Sequence, residues 1–300
     1  MDAISFVYQA LFGPGLVTAP VYLALAGLVA FVVYRRQGAG QGFWRWLFPA
    51  RIWRHPSHLI DLQLFVLGRL LAVLGVFGGV ALTTLVAVWV ARVVPPLLPA
   101  GSLGPVALAL VLWLPSDFAL YWTHRFFHRW SVIWPLHAVH HSAEVMTPFT
   151  TYRQHPLSLL LTDGAVAIFV GLCQGLLIGS LTEGMAVAEI AGINVFIVLA
   201  NAGLAALHHS HVWLSYGPVL EHILISPAQH QIHHSVDPAH YGKNLGNSLA
   251  IWDWMFGTLY VIRGTERVIF GLTEEMEKPL MTQRLWPVLW DPVRRMLRLG

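Results

Sequence analysis

The chain has 300 residues, 56% of them hydrophobic and only 11% charged, and a net charge of +3. A soluble domain carries about a quarter charged residues, so this much apolar side chain cannot be hidden in a globule of this size, and part of it must face lipid. The weak positive charge gives no argument for a nucleic-acid partner, and the single cysteine, Cys173, excludes a disulfide framework and reads as a small buried hydrophobe.

In chain order, five stretches are long and apolar enough to cross a hydrocarbon core: Leu16–Tyr34, Leu70–Val90, Pro105–Trp122, Leu157–Ile178 and Met185–Leu207. The fold class expected is all-α, a multi-pass transmembrane helical bundle of about five spans with a cytoplasmic, histidine-rich metal-binding cap. Only Asp2 is charged ahead of the first span, so that span reads as a membrane anchor and not a cleaved leader. Phe43–Arg54 and Trp286–Arg298 mix Trp with Arg as a helix lying in the headgroup layer would. Pro115 predicts a kink in the third span, and the Pro/Gly-rich stretch 95–105 a short external loop. Three regions follow: residues 1–60 as membrane anchor with an interfacial segment, 61–265 as the metal-binding integral-membrane domain, and 266–300 as a cytoplasmic interfacial tail.

Orientation comes from Lys and Arg. With these spans, 17 of the 18 basic residues fall on one side and only Arg92 on the other. The positive-inside bias then places the N-terminus outside, in a cell-membrane protein whose histidines all lie at the cytoplasmic face.

Fourteen of the sixteen histidines fall between His124 and His240. The first box is Asp117-FALYWT-His124-RFF-His128, whose spacings of four and seven put Asp117, Tyr121, His124 and His128 on one helical stripe. The second is Pro135-L-His137-AV-His140-His141, and the third repeats it as Pro227-AQ-His230-QI-His233-His234. Proline two or three residues ahead of each HxxHH suits a first helical turn, and positions i, i+3 and i+4 then share a face. His155, in Arg153-Gln154-His155-Pro156, and the run His208-His209-Ser210-His211 are lesser candidates. Imidazole suits iron, zinc or copper, and eight or nine imidazoles match two ions with four or five ligands each. Asp117, Glu144 and Asp237 are placed to accept the second N–H of metal-bound imidazoles. His55, His58, His222 and His240 lie outside the boxes and read as capped or solvated.

At these residues the chain resembles the fatty acid hydroxylase/sterol desaturase superfamily. The resemblance runs from about Leu112 to Val261 and rests on DFALYWTHRFFHRW, LHAVHHSAE, TYRQHPL, LHHSHV, SPAQHQIHHS and KNLGNSLAIWDWMFGTLY. It implies a membrane enzyme that uses two iron ions, dioxygen and electrons from a separate reductase or small carrier to hydroxylate or desaturate a lipid drawn from the bilayer. The ligands it implies are His124, His128, His137, His140, His141, His209, His230, His233 and His234, with His155 as a tenth. Asp117 and Asn244 are the non-histidine candidates, Asn244 belonging to the closing motif and serving either structure or the metal. The chain has His211 where relatives often carry Asn, so the choice among His208, His209 and His211 stays open. A histidine-rich metal transporter is the alternative reading, but its ligands should lie mid-span between broken helices, and the second, fourth and fifth expected spans are poor in such residues apart from Asp163, Glu189, Asn194 and Asn201.

Overall fold

Prolines open the four longest helices among the described residues. In the computed structural model, which describes residues 2–38, 40–97, 99, 105–181 and 207–298, α2 runs Pro20–Gln37, α5 Pro56–Val73, α7 Pro105–Arg129 and α9 Pro156–Ser180. Proline has no N–H to leave unpaired in a first turn, and its fixed φ is already helical. Two of these starts use one device: His55 before Pro56 and His155 before Pro156 each accept the N–H two residues on at their own Nδ1, at 3.2 and 3.1 Å. Between and around them lie α1 (Ala3–Phe12), α3 (Phe43–Leu47), α4 (Ala50–Trp53), α6 (Gly79–Ala91) and α8 (Trp134–His141). After the gap come α10 (Pro227–His233), α11 (Ile251–Met255), α12 (Lys278–Met281) and α13 (Leu285–Met296). The described residues contain no named strand, only the isolated bridges Leu224–Leu249 and Ser235–Phe270.

The expected span Leu70–Val90 is not one helix. Helix α5 ends at Val73, Gly75 takes φ +76° in the turn that follows, and α6 starts at Gly79. A glycine that can adopt positive φ, followed by Gly78-Gly79, lets an unbroken apolar run reverse direction. Helix α7 runs on through Pro115. The fifth expected span lies outside the described residues apart from Leu207. Among the described residues two helices are long and apolar enough to cross a membrane, Pro56–Val73 and Pro156–Ser180, with Gly79–Ala91 apolar but shorter. These three helices leave Val66, Leu70, Leu85, Trp89, Ile168 and Leu176 exposed.

Helices α6 and α9 meet along glycine. A Cβ added at Gly171, Gly175 or Gly179 would lie 2.7, 2.5 or 2.8 Å from the Cβ of Val86, Val90 or Val94. One glycine every fourth residue thus lets the backbones approach along the shared stripe. The short helices that carry histidines are held from behind. Ala138 and Val139 of α8 join Ile60, Leu64, Leu280 and Val288 in one cluster, and Ala228 and Ile232 of α10 pack with Ile262. The C-terminal segment is part of this support, since Trp134 Nε1 donates to Glu277 Oε1 at 2.6 Å and α13 lies against α8. On the opposite side of α13, Trp286 and Trp290 are exposed with their rings parallel and 6.4 Å apart.

Candidate metal centre

Helix α7 delivers His124 and His128 one turn apart near its C-terminal end. Helix α8 delivers its three histidines in its last two turns. Helix α10 starts on a capping box, in which Ser226 Oγ accepts from Gln229 N and Gln229 Oε1 accepts from Ser226 N. That box sets the register of His230, His233 and His234. The resulting histidines form two groups. His124, His128, His137, His141 and His233 make one, and His140, His209, His230 and His234 the other, the ligand atoms within each group lying within 4.8 Å of one another. The groups abut, with the His141 and His234 ring centroids 4.5 Å apart.

In the five-histidine group the Nε2 atoms of all five residues are buried and make no hydrogen bond among the described residues. The other ring nitrogen explains why they are acceptors. His124 Nδ1 donates to the Leu245 carbonyl at 2.8 Å and His233 Nδ1 to the Lys243 carbonyl at 2.9 Å. A proton held at Nδ1 leaves the Nε2 lone pair facing inward. In the four-histidine group, His140 Nδ1 donates to the Arg153 carbonyl at 3.3 Å, and His209 Nδ1 lies 2.9 Å from Thr151 Oγ1. Their Nε2 atoms crowd together, with His140–His209 at 3.1 Å, His209–His230 at 2.9 Å and His230–His234 at 3.2 Å.

Burial pushes the His140 imidazole down to about 3, and burial reinforced by neighbouring imidazoles holds His137, His141, His209, His230 and His234 well below the usual histidine range. These rings are neutral, so the centre is a dry pocket of converging lone pairs. An unpaired buried acceptor costs roughly 1–3 kcal/mol, and so many in one place are tolerable only if something electropositive sits among them. The all-nitrogen donor set suits a first-row transition metal such as iron, zinc or copper. A cavity of about 560 Å³ opens onto the five-histidine group at His128, His141 and His233.

The other sequence candidates sit as follows. His209 is the member of its run that joins a group; His208 Nε2 donates to the Ile225 carbonyl at 3.3 Å and His211 Nε2 to the Trp46 carbonyl at 3.1 Å. His155 stands apart with both nitrogens engaged, Nδ1 capping α9 and Nε2 donating to the Leu289 carbonyl at 2.9 Å. Asp117 is fully buried and accepts from Ser248 N, Leu249 N and Trp252 Nε1 at 3.0, 3.2 and 2.8 Å. Glu144 accepts from Gln283 and Asp237 caps a short turn. Among the described residues no carboxylate receives an imidazole N–H in these groups; backbone carbonyls take those of His124, His233 and His140. Asn244 sits between two of them, at φ +52°, with Nδ2 donating to Gln229 O and Oδ1 accepting from Tyr260 N at 2.7 Å. Of the histidines read as capped or solvated, His55 is a cap, but His58 is buried against Thr147 Oγ1 at 3.1 Å and His240 is buried near Glu266.

Asp61 and Arg153 escaped the sequence reading as a pair. Both are fully buried, and Arg153 NH1 meets Asp61 Oδ1 at 3.0 Å. Arg153 Nε also donates to the Val139 carbonyl and NH2 to Ser142 Oγ, so the guanidinium grips the end of α8 while its own carbonyl holds His140. The available signals were a lone carboxylate inside an apolar helix and an arginine two residues ahead of His155.

The family model for fatty acid hydroxylase matches residues 109–258. The chain is 30% identical to an alkylglycerol monooxygenase of Danio rerio over 59% of its own length and 36% of that protein's. It is 30% identical to ornithine lipid hydroxylase OlsE of Rhizobium tropici, over 61% of this chain and 51% of the relative. A very-long-chain aldehyde decarbonylase of Oryza sativa subsp. indica is 29% identical over 54% of this chain and 25% of the relative. The chain thus spans about half or less of the length of these curated relatives. No solved structure matches it.

Proposed function

Because the chain belongs to the fatty acid hydroxylase family, we propose that it is a membrane-embedded di-iron oxidoreductase that uses dioxygen and electrons from a separate donor protein to hydroxylate or desaturate a lipid. The observation that carries this is the convergence of nine histidines in two groups, seven of them buried and His124 and His128 half-buried with their Nε2 atoms buried. The alkylglycerol monooxygenase and ornithine lipid hydroxylase among its relatives support a lipid as the molecule oxidised.

These imidazoles would hold iron, which when bound would supply dioxygen activation and oxidation of an unactivated C–H bond. The chain does the rest. Leu245 and Lys243 keep the protons of His124 and His233 at Nδ1, so the inward lone pairs stay available. Burial of both groups excludes bulk water and strengthens every electrostatic contact inside. The cavity touches the five-histidine group through His128, His141 and His233, so that group faces the substrate carbon and the four-histidine group lies behind it.

The membrane reading rests on α5 and α9, on their exposed apolar side chains, and on the one-sided placement of basic residues. It puts the histidine-bearing helices at the cytoplasmic face beneath about five spans. The histidines stand at the end of α7 and on short helices, not midway along α5 or α9, which favours the enzyme over a metal transporter.

Comparing the lipids of a deletion strain with those of its parent tests the reaction. The expected difference is a species in the parent carrying one more oxygen or lacking two hydrogens, and an unchanged lipid profile overturns the assignment. For orientation, Ser131→Cys in a Cys173→Ala background should react with an impermeant maleimide only after the cells are opened. Labelling on intact cells would reverse the topology.

A further inference from the structure

The cavity over the five-histidine group is bipolar. One pole is the end of α7, where Arg125 and Arg129 line it one turn apart. Arg125 is held in place, since NH1 donates to Tyr121 Oη and to the Phe256 carbonyl and the guanidinium lies 5.4 Å from the Trp122 ring centre. Its other amino group makes no hydrogen bond among the described residues. Arg129 is exposed and makes no ion pair among them. The other pole is the segment leading into α12, where Glu274 and Glu277 line the cavity beside Trp134. Glu277 is buried and already engaged, by Trp134 Nε1 at 2.6 Å and by Arg295 NH2 at 3.8 Å, and Glu275 pairs with Lys278 at 2.6 Å, whereas Glu274 is exposed and has no cation among the described residues.

A lone anion in this cavity would face the unmatched carboxylate of Glu274, a lone cation two guanidiniums, and a bare acyl chain would strip water from both without replacing it. Only a group with both charges satisfies both walls. At about 560 Å³ the space is within the range of small-molecule sites. Next to its lining residues in the chain, Phe126 and Trp130 stack at 4.7 Å on the end of α7, and they, Val132 and Met276 are exposed. Exposed apolar side chains there suit a lipid tail, which a free amino acid or phosphoamine lacks.

We infer that this cavity takes the zwitterionic head of a lipid, its phosphate or carboxylate at Arg125 and Arg129 and its ammonium at Glu274. This rests on the reading of a lipid substrate and narrows it. The head lies beside His128, His141 and His233, so the carbon presented to the centre is near the head and not at the far end of the chain.

The test is calorimetric titration of the full, metal-loaded chain in a neutral detergent. The probes are dihexanoyl phosphatidylethanolamine, anionic dihexanoyl phosphatidylglycerol and water-soluble glycerophosphoethanolamine. Phosphatidylethanolamine should bind about tenfold more tightly than either other probe, the factor expected of one unmatched charge contact. Arg129→Glu should weaken it by a similar factor, while Glu274→Lys should weaken it and improve phosphatidylglycerol. Both side chains are exposed and touch no histidine, so the variants should keep full metal content, and loss of metal in both would contradict the placement of this pole. Equal binding of the two lipids by the natural chain, or unchanged binding in both variants, overturns the zwitterion. Glycerophosphoethanolamine binding as tightly as the lipid overturns the lipid source. Turnover is not read, so failure here leaves the oxidative assignment standing, and failure of the lipid comparison above leaves this binding result standing.

Discussion

Asn244 aims two carbonyls at once. The carbonyl before it, Lys243, takes the N–H of His233, and the carbonyl after it, Leu245, takes that of His124. Its left-handed φ turns the chain between them, and its side chain ties the turn to α10 and to Tyr260. Asn244→Ala should therefore weaken metal binding about 10–100-fold, the loss usual for partners that orient metal ligands. Elemental analysis after dialysis against a chelator reads this, and Asn244→Ala holding metal like the natural chain would remove the role. The Asp61–Arg153 pair acts on the other group. Asp61→Ala leaves a buried guanidinium alone, costing about 3–5 kcal/mol, so the melting temperature should fall by about 10 °C. Neither role was legible beforehand. Asn244 was visible as a motif member but not as the pivot of two carbonyls, and Asp61 and Arg153 lie 92 residues apart.

At the scale of elements, the α6–α9 contact has no slack. Gly175→Val should drive the two helices apart, because even its Cβ would sit 2.5 Å from Val90 Cβ, whereas Gly164→Ala, with nothing within 4 Å, should be silent. The yield of monodisperse protein after detergent extraction separates the two. The box helices were legible from Pro and HxxHH spacing, and α8 and α10 start at or beside those prolines. Their partition was not. Within α8, His137 and His141 serve one group and His140 the other; within α10, His233 serves the first and His230 and His234 the second. Adjacent helical positions point about 100° apart, and spacing alone does not say which ring meets which neighbour. The break between α5 and α6 was hidden for another reason: the apolar run continues through it, and only Gly75 and Gly78-Gly79 mark the turn.

Over the whole molecule, many neutral imidazoles make the fold sensitive to acid. Burial lowers their affinity for protons in the folded chain, so the unfolded chain binds protons first as pH drops below 6.5. Stability of the metal-free chain is then fully present above about 6.5 and is lost as pH falls toward 3, the point to which His140 is pushed. One pH unit below the ordinary value, each such histidine costs about 1.4 kcal/mol. A metal-free chain as stable at pH 5.5 as at 7.5 would contradict this. The apolar character of the molecule was plain from composition, and the named elements among the described residues are all helices. The support of α8 by the C-terminal segment was not plain, because Glu277 and Val288 reach it across more than a hundred residues.

Each HxxHH helix, by dividing its rings between two groups, works as a clamp with jaws on both. If each group takes one ion, as proposed above, filling one would fix the pitch and rotation of α8 and α10 and so prepare the donors of the other. The ordering entropy would then fall mostly on the first ion, and the second would bind more tightly for it. Titration followed by native mass spectrometry should then show empty and doubly loaded chains with few carrying one ion, and the occupancy curve should be sigmoidal. Two independent, hyperbolic steps would mean that the shared helices are rigid before any metal binds.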